Sequence, residues 1–253
     1  MAKLAIALAV ALALLSGRAF ALPACPDGQP YATYMAIGAG GCLLNDKAFS
    51  NFTLALGPNS GAATTPKANQ ITVMPITTAG NPGFRFTGNP PFHAPALPGP
   101  PTFFSYRFGY DVRVQAAGQP ITDASLTMLA PTLAADGSVS IAEDICLGAV
   151  FESKGVCAHN APMRTLNVFD TPQGVQLTAS LTFSQPYRLV ATQTLLIASA
   201  GLAGSASVDS FTEQFSEAPA RALEPGSLEV FGTALALVAA FAAAARGRPR
   251  ATP

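Results

Sequence analysis

Few residues in this chain have the types and spacing that catalysis requires. Only His93 and His159 can act as bases near neutral pH, and both lie among Pro, Gly or Asn residues typical of loops. The sequence contains no Gly-x-Ser-x-Gly, so a hydrolase with a serine at such an elbow has no candidate nucleophile. Residues 201–205 lack the lysine and the spacing of a phosphate-binding loop. We therefore assign no catalytic or cofactor-binding residue and predict that the protein is not an enzyme.

A carboxylate pair is the one arrangement in the sequence that could support glycoside hydrolysis. Glu143 and Asp144 are adjacent, but neighbouring residues of a strand point to opposite faces of the sheet. Two carboxylates of this kind could not flank one glycosidic bond, and a solvent-facing edge is the simpler interpretation. A carboxylate site formed between distant strands remains an open alternative.

Four cysteines offer a choice between disulfides and a metal site. Sequence proximity favours pairing Cys25 with Cys42 and Cys146 with Cys157, out of three possible connectivities. Each bond would contribute ~2–4 kcal/mol by closing a loop in an oxidising compartment. Zinc bound by Cys146, Cys157 and His159 is the alternative, but Cys-Ala-His is not a recognised ligand spacing. We assign no metal ligand.

The charge of the chain excludes several classes of partner. Lys and Arg together number 14, Asp and Glu together also number 14, and charged residues make up 11% of the sequence. No net positive field is available to attract a phosphate backbone, so we expect no binding to nucleic acid. The 22 glycines and 22 prolines also argue against a helix-rich enzyme.

Alternation of apolar and polar residues predicts short strands through residues 22–222. It is clearest in Ser105–Val114, where the aromatic and aliphatic residues share one face while Arg107, Asp111 and Arg113 share the other. A strand with one polar face belongs to an antiparallel sheet. Turn signals separate the other candidates, which are Phe52–Leu56, Gln70–Ile76, Gly83–Thr87, Ile121–Leu129, Val139–Cys146, Leu166–Phe169, Val175–Phe183, Leu189–Ile197 and Val208–Phe215.

These strands predict an all-β fold, a single antiparallel β-sandwich of jelly-roll type. No stretch of residues 22–222 sustains an apolar helical period over four turns with a cap. The proline-rich residues 89–101 are expected to form a surface loop outside the sheets, because proline has no N–H to donate. A rigid connector is the simpler role for that loop, and a binding loop or polyproline motif is the alternative.

Residues 1–21 have the three-part layout of a secretory signal peptide. Lys3 precedes an apolar run, and Ala19 and Ala21 provide the small residues at positions −3 and −1 of the cleavage site. Cleavage after Ala21 leaves Leu22 as the first residue. The sequence before Cys25 also resembles a lipoprotein box, which leaves lipidation of Cys25 as an alternative.

The other end of the chain, residues 223–253, combines a short motif, an apolar segment and a basic terminus. Residues 230–245 would span about 24 Å as a helix, slightly less than the bilayer core, so we expect a transient anchor in the inner membrane. Arg246, Arg248 and Arg250 would stay cytoplasmic. An unprocessed tail anchor is the alternative.

This layout resembles the PEP-CTERM sorting signal of exopolysaccharide-producing Gram-negative bacteria. Glu224-Pro225 and the terminal arginines match its order, with Leu223 in place of the first proline. The resemblance implies recognition by an exosortase and cleavage near the motif. Residues between Cys42 and Ser216 also resemble a β-rich family among PEP-CTERM proteins, a family that implies a sandwich and no catalytic motif.

Together these features predict an exported protein of the cell surface or extracellular matrix. We expect it to be sorted and cleaved by an exosortase and to have a non-enzymatic structural or interaction role. One alternative is a module that binds carbohydrate, in particular exopolysaccharide, through exposed Tyr and Phe side chains. The other is a secreted hydrolase with a carboxylate site that the sequence does not reveal.

Overall fold

The protein is built from two antiparallel sheets. The computed structural model describes residues 22–60, 63, 65–96, 101–152 and 155–217. Every strand pair among these residues is antiparallel, and the strands divide between a six-stranded and a seven-stranded sheet. The predicted all-β antiparallel sandwich is confirmed, and every predicted strand overlaps an observed one.

The strands are numbered in chain order. They are β1 Gln29–Pro30, β2 Cys42–Leu44, β3 Lys47–Ser60, β4 Ile71–Ile76, β5 Gly83–Ala94, β6 Thr102–Val114, β7 Ile121–Ala134, β8 Ser138–Leu147, β9 Met163–Thr171, β10 Gly174–Gln176, β11 Thr178–Tyr187, β12 Leu189–Ala200 and β13 Ser205–Glu217. The six-stranded sheet has the order β1-β4-β5-β13-β7-β11, and the seven-stranded sheet has the order β10-β9-β8-β12-β6-β3-β2.

Aromatic side chains fill the space between the sheets. Phe49 of β3 packs edge-on against Phe84 of β5, with ring centroids 4.7 Å apart. Phe108 of β6 packs against Phe211 of β13 at 5.2 Å. All four side chains are fully buried. Each such pair adds about 0.5–1.5 kcal/mol to the hydrophobic burial, so these contacts hold the two sheets together.

A short helix, α1 (Tyr31–Ile37), closes one end of the sandwich. The sequence did not predict it, because two turns are too short for a clear helical period. Its residues Tyr31 and Tyr34 are fully buried. Tyr31 donates through its hydroxyl to the carbonyl oxygens of Thr53 (2.9 Å) and Gly109 (3.2 Å), which ties the helix to β3 and β6. The preceding segment is held by the Cys25–Cys42 disulfide.

The expectation that residues 89–101 form an unpaired loop is wrong for their first half. β5 continues to Ala94, and Phe92 and Ala94 are fully buried and paired with β13. The pairing is interrupted by a register shift at Pro90 and Pro91, so neither proline has to donate a hydrogen bond there. Proline is compatible with a strand at such an irregularity, which a count of prolines cannot reveal.

The single strand expected over 175–183 is in fact two strands in different sheets. β10 pairs with β9 in the seven-stranded sheet, whereas β11 pairs with β7 in the six-stranded sheet. Leu177 lies between them, and its carbonyl oxygen accepts a hydrogen bond of 2.8 Å from the Met128 N–H. The chain therefore crosses between the sheets at Leu177, and Val175, before this crossing, is 62% exposed while Phe183 is buried.

The two ends of the chain lie outside the described residues. This applies to the signal peptide with Ala19 and Ala21, to the motif Leu223-Glu224-Pro225, to the apolar segment 230–245 and to the terminal arginines. Within the described ranges, no helix has both the length and the apolar character that a membrane span requires.

A buried lysine connects the start of β3 to the end of β13. The Lys47 ammonium group is fully buried and forms ion pairs with the carboxylates of Asp46 and Glu217, the latter at 2.8 Å. It also donates to the Gln119 carbonyl oxygen at 3.0 Å. Because β3 and β13 belong to different sheets, this cluster joins the sheets at the ends of these two strands by charge as well as by packing.

We expect Lys47→Met to lower the free energy of unfolding by about 2–3 kcal/mol, because two carboxylates lose their counter-charge. The loss is smaller than for a fully buried ion pair, since Asp46 and Glu217 keep some contact with water. Urea denaturation would measure it, with Lys67→Met at an exposed site as the matched control. Equal stability of the two variants would contradict a stabilising role for the cluster.

Candidate functional site

The outer face of the seven-stranded sheet presents polar residues at regular intervals along β6. Tyr106, Phe108 and Tyr110 point into the aromatic core. Because side chains alternate, Arg107 and Arg113 are directed outward and are exposed. The sequence predicted this division, and the structure confirms it.

Three clefts adjoin along the outward side of β6. The first has a volume of about 420 Å³ and includes Arg107, Leu195 and Ile197. The second, about 300 Å³, and the third, about 360 Å³, share Asn51 and Asp111. We call this continuous feature the β6 groove. Its outward residues are Asn51, Thr53 and Ala55 on β3, Ser105, Arg107, Gly109, Asp111 and Arg113 on β6, and Gln193, Leu195 and Ile197 on β12.

Strand register makes the groove continuous. Ala55, Arg107 and Leu195 lie side by side on three neighbouring strands in the first cleft. The next outward row consists of Thr53, Gly109 and Gln193, which line the second cleft. The two rows are successive outward positions, about 7 Å apart along the strands. An extended ligand lying along β6 would therefore pass directly from one cleft to the next.

A bulge in β3 forms one side of the groove. Asn51 has a φ of 56°, and the register between β3 and β6 shifts at this point. The extra residue turns the Asn51 side chain toward β6, where its amide donates a 2.6 Å hydrogen bond to the Asp111 carboxylate. Partial burial raises the pKa of Asp111, and the Asn51 hydrogen bond and the nearby Arg113 oppose that shift.

The segment between β8 and β9 forms the opposite side. The Cys146–Cys157 disulfide holds it across the outer face, with the two Cα atoms 5.4 Å apart. Val150 and Phe151 line the second cleft. Gly155 lies against Gln193, and a Cβ there would be 3.2 Å from the Gln193 amide oxygen. Both disulfides have the pairing that sequence proximity favoured, so Cys146 and Cys157 have no free thiolate for zinc.

Glycine at position 109 keeps the floor of the groove open. A Cβ at Gly109 would lie 2.8 Å from the Thr53 hydroxyl oxygen and 3.1 Å from the Thr192 carbonyl oxygen. Any other residue would therefore press on β3 and fill part of the second cleft. The absence of a side chain here leaves the second cleft its depth between β3 and β12.

Three phenylalanines on the same outer face are accessible to solvent. Phe103 of β6 is 38% exposed, and Phe169 of β9 and Phe151 are partly exposed. Phe169 pairs with Ser140, and Ser140 pairs with Ile197 at the edge of the first cleft. The face thus combines aromatic and aliphatic surface with amides, a carboxylate and guanidinium groups. The sequence did not identify Asn51, Gln193 or these phenylalanines as site residues.

A second polar cluster lies inside the core. Glu143 of β8 and Glu213 of β13 are fully buried, and Glu213 accepts a hydrogen bond from the Thr194 hydroxyl. Among the described residues, both oxygens of Glu143, one of Glu213 and the hydroxyls of Tyr110 and Thr192 have no hydrogen-bond partner. These groups come from both sheets, so only the folded sandwich brings them together.

Burial favours the protonated form of both carboxyl groups. It raises the pKa of Glu143 well above its usual range, and the charge of Glu213 adds to the shift. Burial also raises the pKa of Glu213 to about 7, although the Thr194 hydrogen bond opposes this. The pair is the cross-strand carboxylate arrangement left open by the sequence, but neither side chain has any contact with solvent. A polysaccharide outside the protein could not reach either group.

The remaining residues considered from the sequence do not come together. Glu143 points inward and Asp144 outward, where Asp144 accepts a 2.6 Å hydrogen bond from Thr165. His93 lies half-buried on β5, whereas His159 is exposed in the segment between β8 and β9. In the part of the chain that the structure describes, no three His, Cys, Asp or Glu side chains form a group suited to a metal ion.

Comparisons with known proteins give no family. No family model matches the sequence, and no curated protein matches it. The solved structures that resemble it include TmCBM61 in complex with β-1,4-galactotriose, at 10% identity and TM-score 0.28, covering 66% of this chain and 88% of that chain. The family 32 CBM of C. perfringens NanJ in complex with galactose matches at 15% identity and TM-score 0.21, covering 64% and 93%.

An enzyme is among the similar structures as well. Endoglucanase 3 of Trichoderma harzianum, from family GH12, matches at 9% identity and TM-score 0.21, covering 65% of this chain and 98% of that chain. At these TM-scores none of the three likenesses carries an argument about this chain. The conclusions below depend on its own residues.

The buried carboxyl pair predicts stability that falls with rising pH. A carboxyl group whose pKa is raised in the folded state is stabilising below its unfolded pKa of about 4.3, and that contribution is lost as pH rises through the folded pKa. For Glu213 the loss spans pH 4.5 to about 7. We expect the free energy of unfolding to fall by roughly 2–3 kcal/mol between pH 5 and pH 8.

Glu213→Gln tests the origin of this loss, because glutamine resembles the protonated acid and can still accept from Thr194. Denaturation at a series of pH values should show a flatter profile for the variant than for the wild type. The same slope in both proteins would mean that Glu213 does not titrate in this range.

Proposed function

We propose that the protein binds polysaccharide in the β6 groove and does not cleave it. The observation that supports this most directly is the β6 groove itself, whose first cleft includes the apolar residues Leu195 and Ile197 and whose second cleft includes the hydrogen-bonding residues Asn51 and Gln193. Clefts that follow one another along a strand suit a chain ligand better than a compact one. This is the carbohydrate-binding alternative from the sequence, now with a location.

The chemistry of the groove is complementary to that of a sugar chain. Pyranose rings have apolar faces that pack on aliphatic or aromatic surface, which Leu195, Ile197 and Phe151 provide. Their hydroxyl groups pair with amides and carboxylates, which Gln193, Asn51 and Asp111 provide. The Asn51–Asp111 hydrogen bond holds two of these groups in place before a ligand arrives, which reduces the entropy lost on binding.

The sandwich is of jelly-roll type in this proposal. β5 and β6, β6 and β7, β7 and β8, and β12 and β13 are consecutive strands that lie in opposite sheets. Such repeated crossing is the connectivity of two interleaved Greek keys, and jelly rolls occur in lectin domains. The disulfide-bonded segment crosses the outer face of the seven-stranded sheet at the second cleft, and Leu22, Ala39 and Gly40 border the third cleft.

We also propose that the protein is exported and sorted as its two ends predict. Removal of residues 1–21, followed by exosortase cleavage near Glu224-Pro225, would deliver the body to the cell surface or matrix. The two disulfides support an oxidising, extracytoplasmic location. β13 ends at Glu217, before the motif, so this cleavage would leave every described strand pair intact.

A binding assay with a matched pair of variants tests the groove. Gln193 makes no side-chain hydrogen bond within the described part of the chain, so Gln193→Ala should preserve the fold and weaken binding about two- to tenfold, the range for one neutral hydrogen bond. Gln173→Ala, in the exposed turn between β9 and β10, is the control and should bind as the wild type does. The measurement is affinity electrophoresis of the disulfide-bonded protein in gels containing individual polysaccharides.

Two results would contradict this proposal. If Gln193→Ala and Gln173→Ala bind alike, the ligand does not occupy the β6 groove. If the wild type releases new reducing ends from a polysaccharide that it binds, the protein is a hydrolase and the non-enzymatic role is wrong.

Mass spectrometry of the protein recovered from the native host tests the processing. We expect a mature chain that begins at Leu22 and lacks the residues after about Glu224. A surface-located protein that retains Arg246, Arg248 and Arg250 would contradict exosortase sorting. A lipid-modified Cys25 would support the lipoprotein alternative and contradict the Cys25–Cys42 disulfide, because one sulfur atom cannot form both bonds.

A further inference from the structure

Arg107 is the most available cation of the β6 groove. It lies exposed at the middle of β6, and no carboxylate among the described residues is within ion-pair distance of it. Two other basic side chains are already engaged: Arg188 donates to the carbonyl oxygens of Gln115, Ala116 and Gly118, and Lys47 is paired. Arg113 lies near Asp111, and the negative charge of that carboxylate partly offsets the positive charge of Arg113.

The surroundings of Arg107 favour an anionic ligand. Its neighbours across the sheet are Ala55 and Leu195, which offer the guanidinium group no hydrogen-bond acceptor. Gly155 faces it without a side chain, since a Cβ there would lie 4.0 Å from a guanidinium nitrogen. A planar fork of donors on an apolar floor binds a carboxylate through two parallel hydrogen bonds, and partial exclusion of water strengthens them.

The spacing of charges along β6 is also informative. Arg107 and Arg113 are six residues apart, which corresponds to about 20 Å along a strand, and Asp111 lies between them. Asn51 and Asp111, which lie between the two arginines, can pair with hydroxyl groups of the same ligand.

From these observations we infer that the polysaccharide ligand is acidic and that Arg107 binds one of its carboxylates. This inference depends on the proposed function and specifies the class of polymer. It differs from general attraction to anions, because the net charge of the chain is zero.

Three polymers with different charge patterns provide the test. Hyaluronan carries a carboxylate on every second sugar, polygalacturonate on every sugar, and dextran on none. We expect the disulfide-bonded protein to bind hyaluronan and polygalacturonate more tightly than dextran, with affinities for both acidic polymers that fall as sodium chloride is raised from 50 to 500 mM. Calorimetric titration would give the dissociation constants.

Variants at two arginines identify the contact. Arg107→Gln should weaken binding to hyaluronan at least about tenfold, as expected for loss of a charge-assisted hydrogen-bonded pair. Arg107→Lys should recover part of the loss, because it restores the charge without the planar fork. Arg85→Gln is the matched control, since Arg85 is equally exposed but lies on the outer face of the six-stranded sheet.

The outcomes separate the two proposals. Tightest binding to dextran, weakened by Gln193→Ala and unchanged by Arg107→Gln, would overturn the acidic ligand and leave the polysaccharide groove standing. Equal losses in Arg107→Gln and Arg85→Gln would also overturn the inference, because attraction would then be non-specific. Binding to none of the three polymers would contradict the inference and the proposed function together.

Discussion

The packing of aromatic rings between the two sheets is the constraint on which the rest of the structure depends. Tyr106, Phe108 and Tyr110 must all enter the core, and a slip of β6 by one residue would expose all of them and bury the two arginines of the groove. The same rings therefore fix which residues face outward. The groove is therefore a consequence of the core. Its floor consists of the outward side chains of β6, and the packing of the inward side chains fixes the register of that strand.

The interior also explains how a protein with little charge can still be sensitive to its environment. Most of the polar side chains lie at the surface, but Glu143 and Glu213 are buried and have no contact with water. Such groups weaken the fold once they ionise, so the body is best suited to mildly acidic surroundings. The Lys47 cluster has the opposite character, because its carboxylates are ionised and paired. The stability contributed by the carboxyl pair therefore falls as pH rises, whereas the stability contributed by the Lys47 cluster requires a pH at which Asp46 and Glu217 are ionised.

Sequence reasoning succeeded where local periodicity decides the structure. The alternation in Ser105–Val114 correctly placed Arg107, Asp111 and Arg113 on one face, and proximity gave both disulfide pairs. It failed where distant segments meet. The Asn51 bulge exists only in relation to β6, and Glu143 meets Glu213 only after two sheets have packed. Periodicity also cannot detect a strand such as 175–183 that changes sheets without losing its alternation.

The position of β13 has a consequence for the order in which the fold can form. This strand is the last described segment, yet it lies between β5 and β7 and pairs with both along most of its length. Until Ser205–Glu217 emerges, those two strands have open edges and the six-stranded sheet is divided. Folding must therefore await nearly the whole body, and its non-local contacts favour slow folding. If the protein is exported as proposed, this late completion of the six-stranded sheet would help to keep the chain unfolded until it has crossed the membrane.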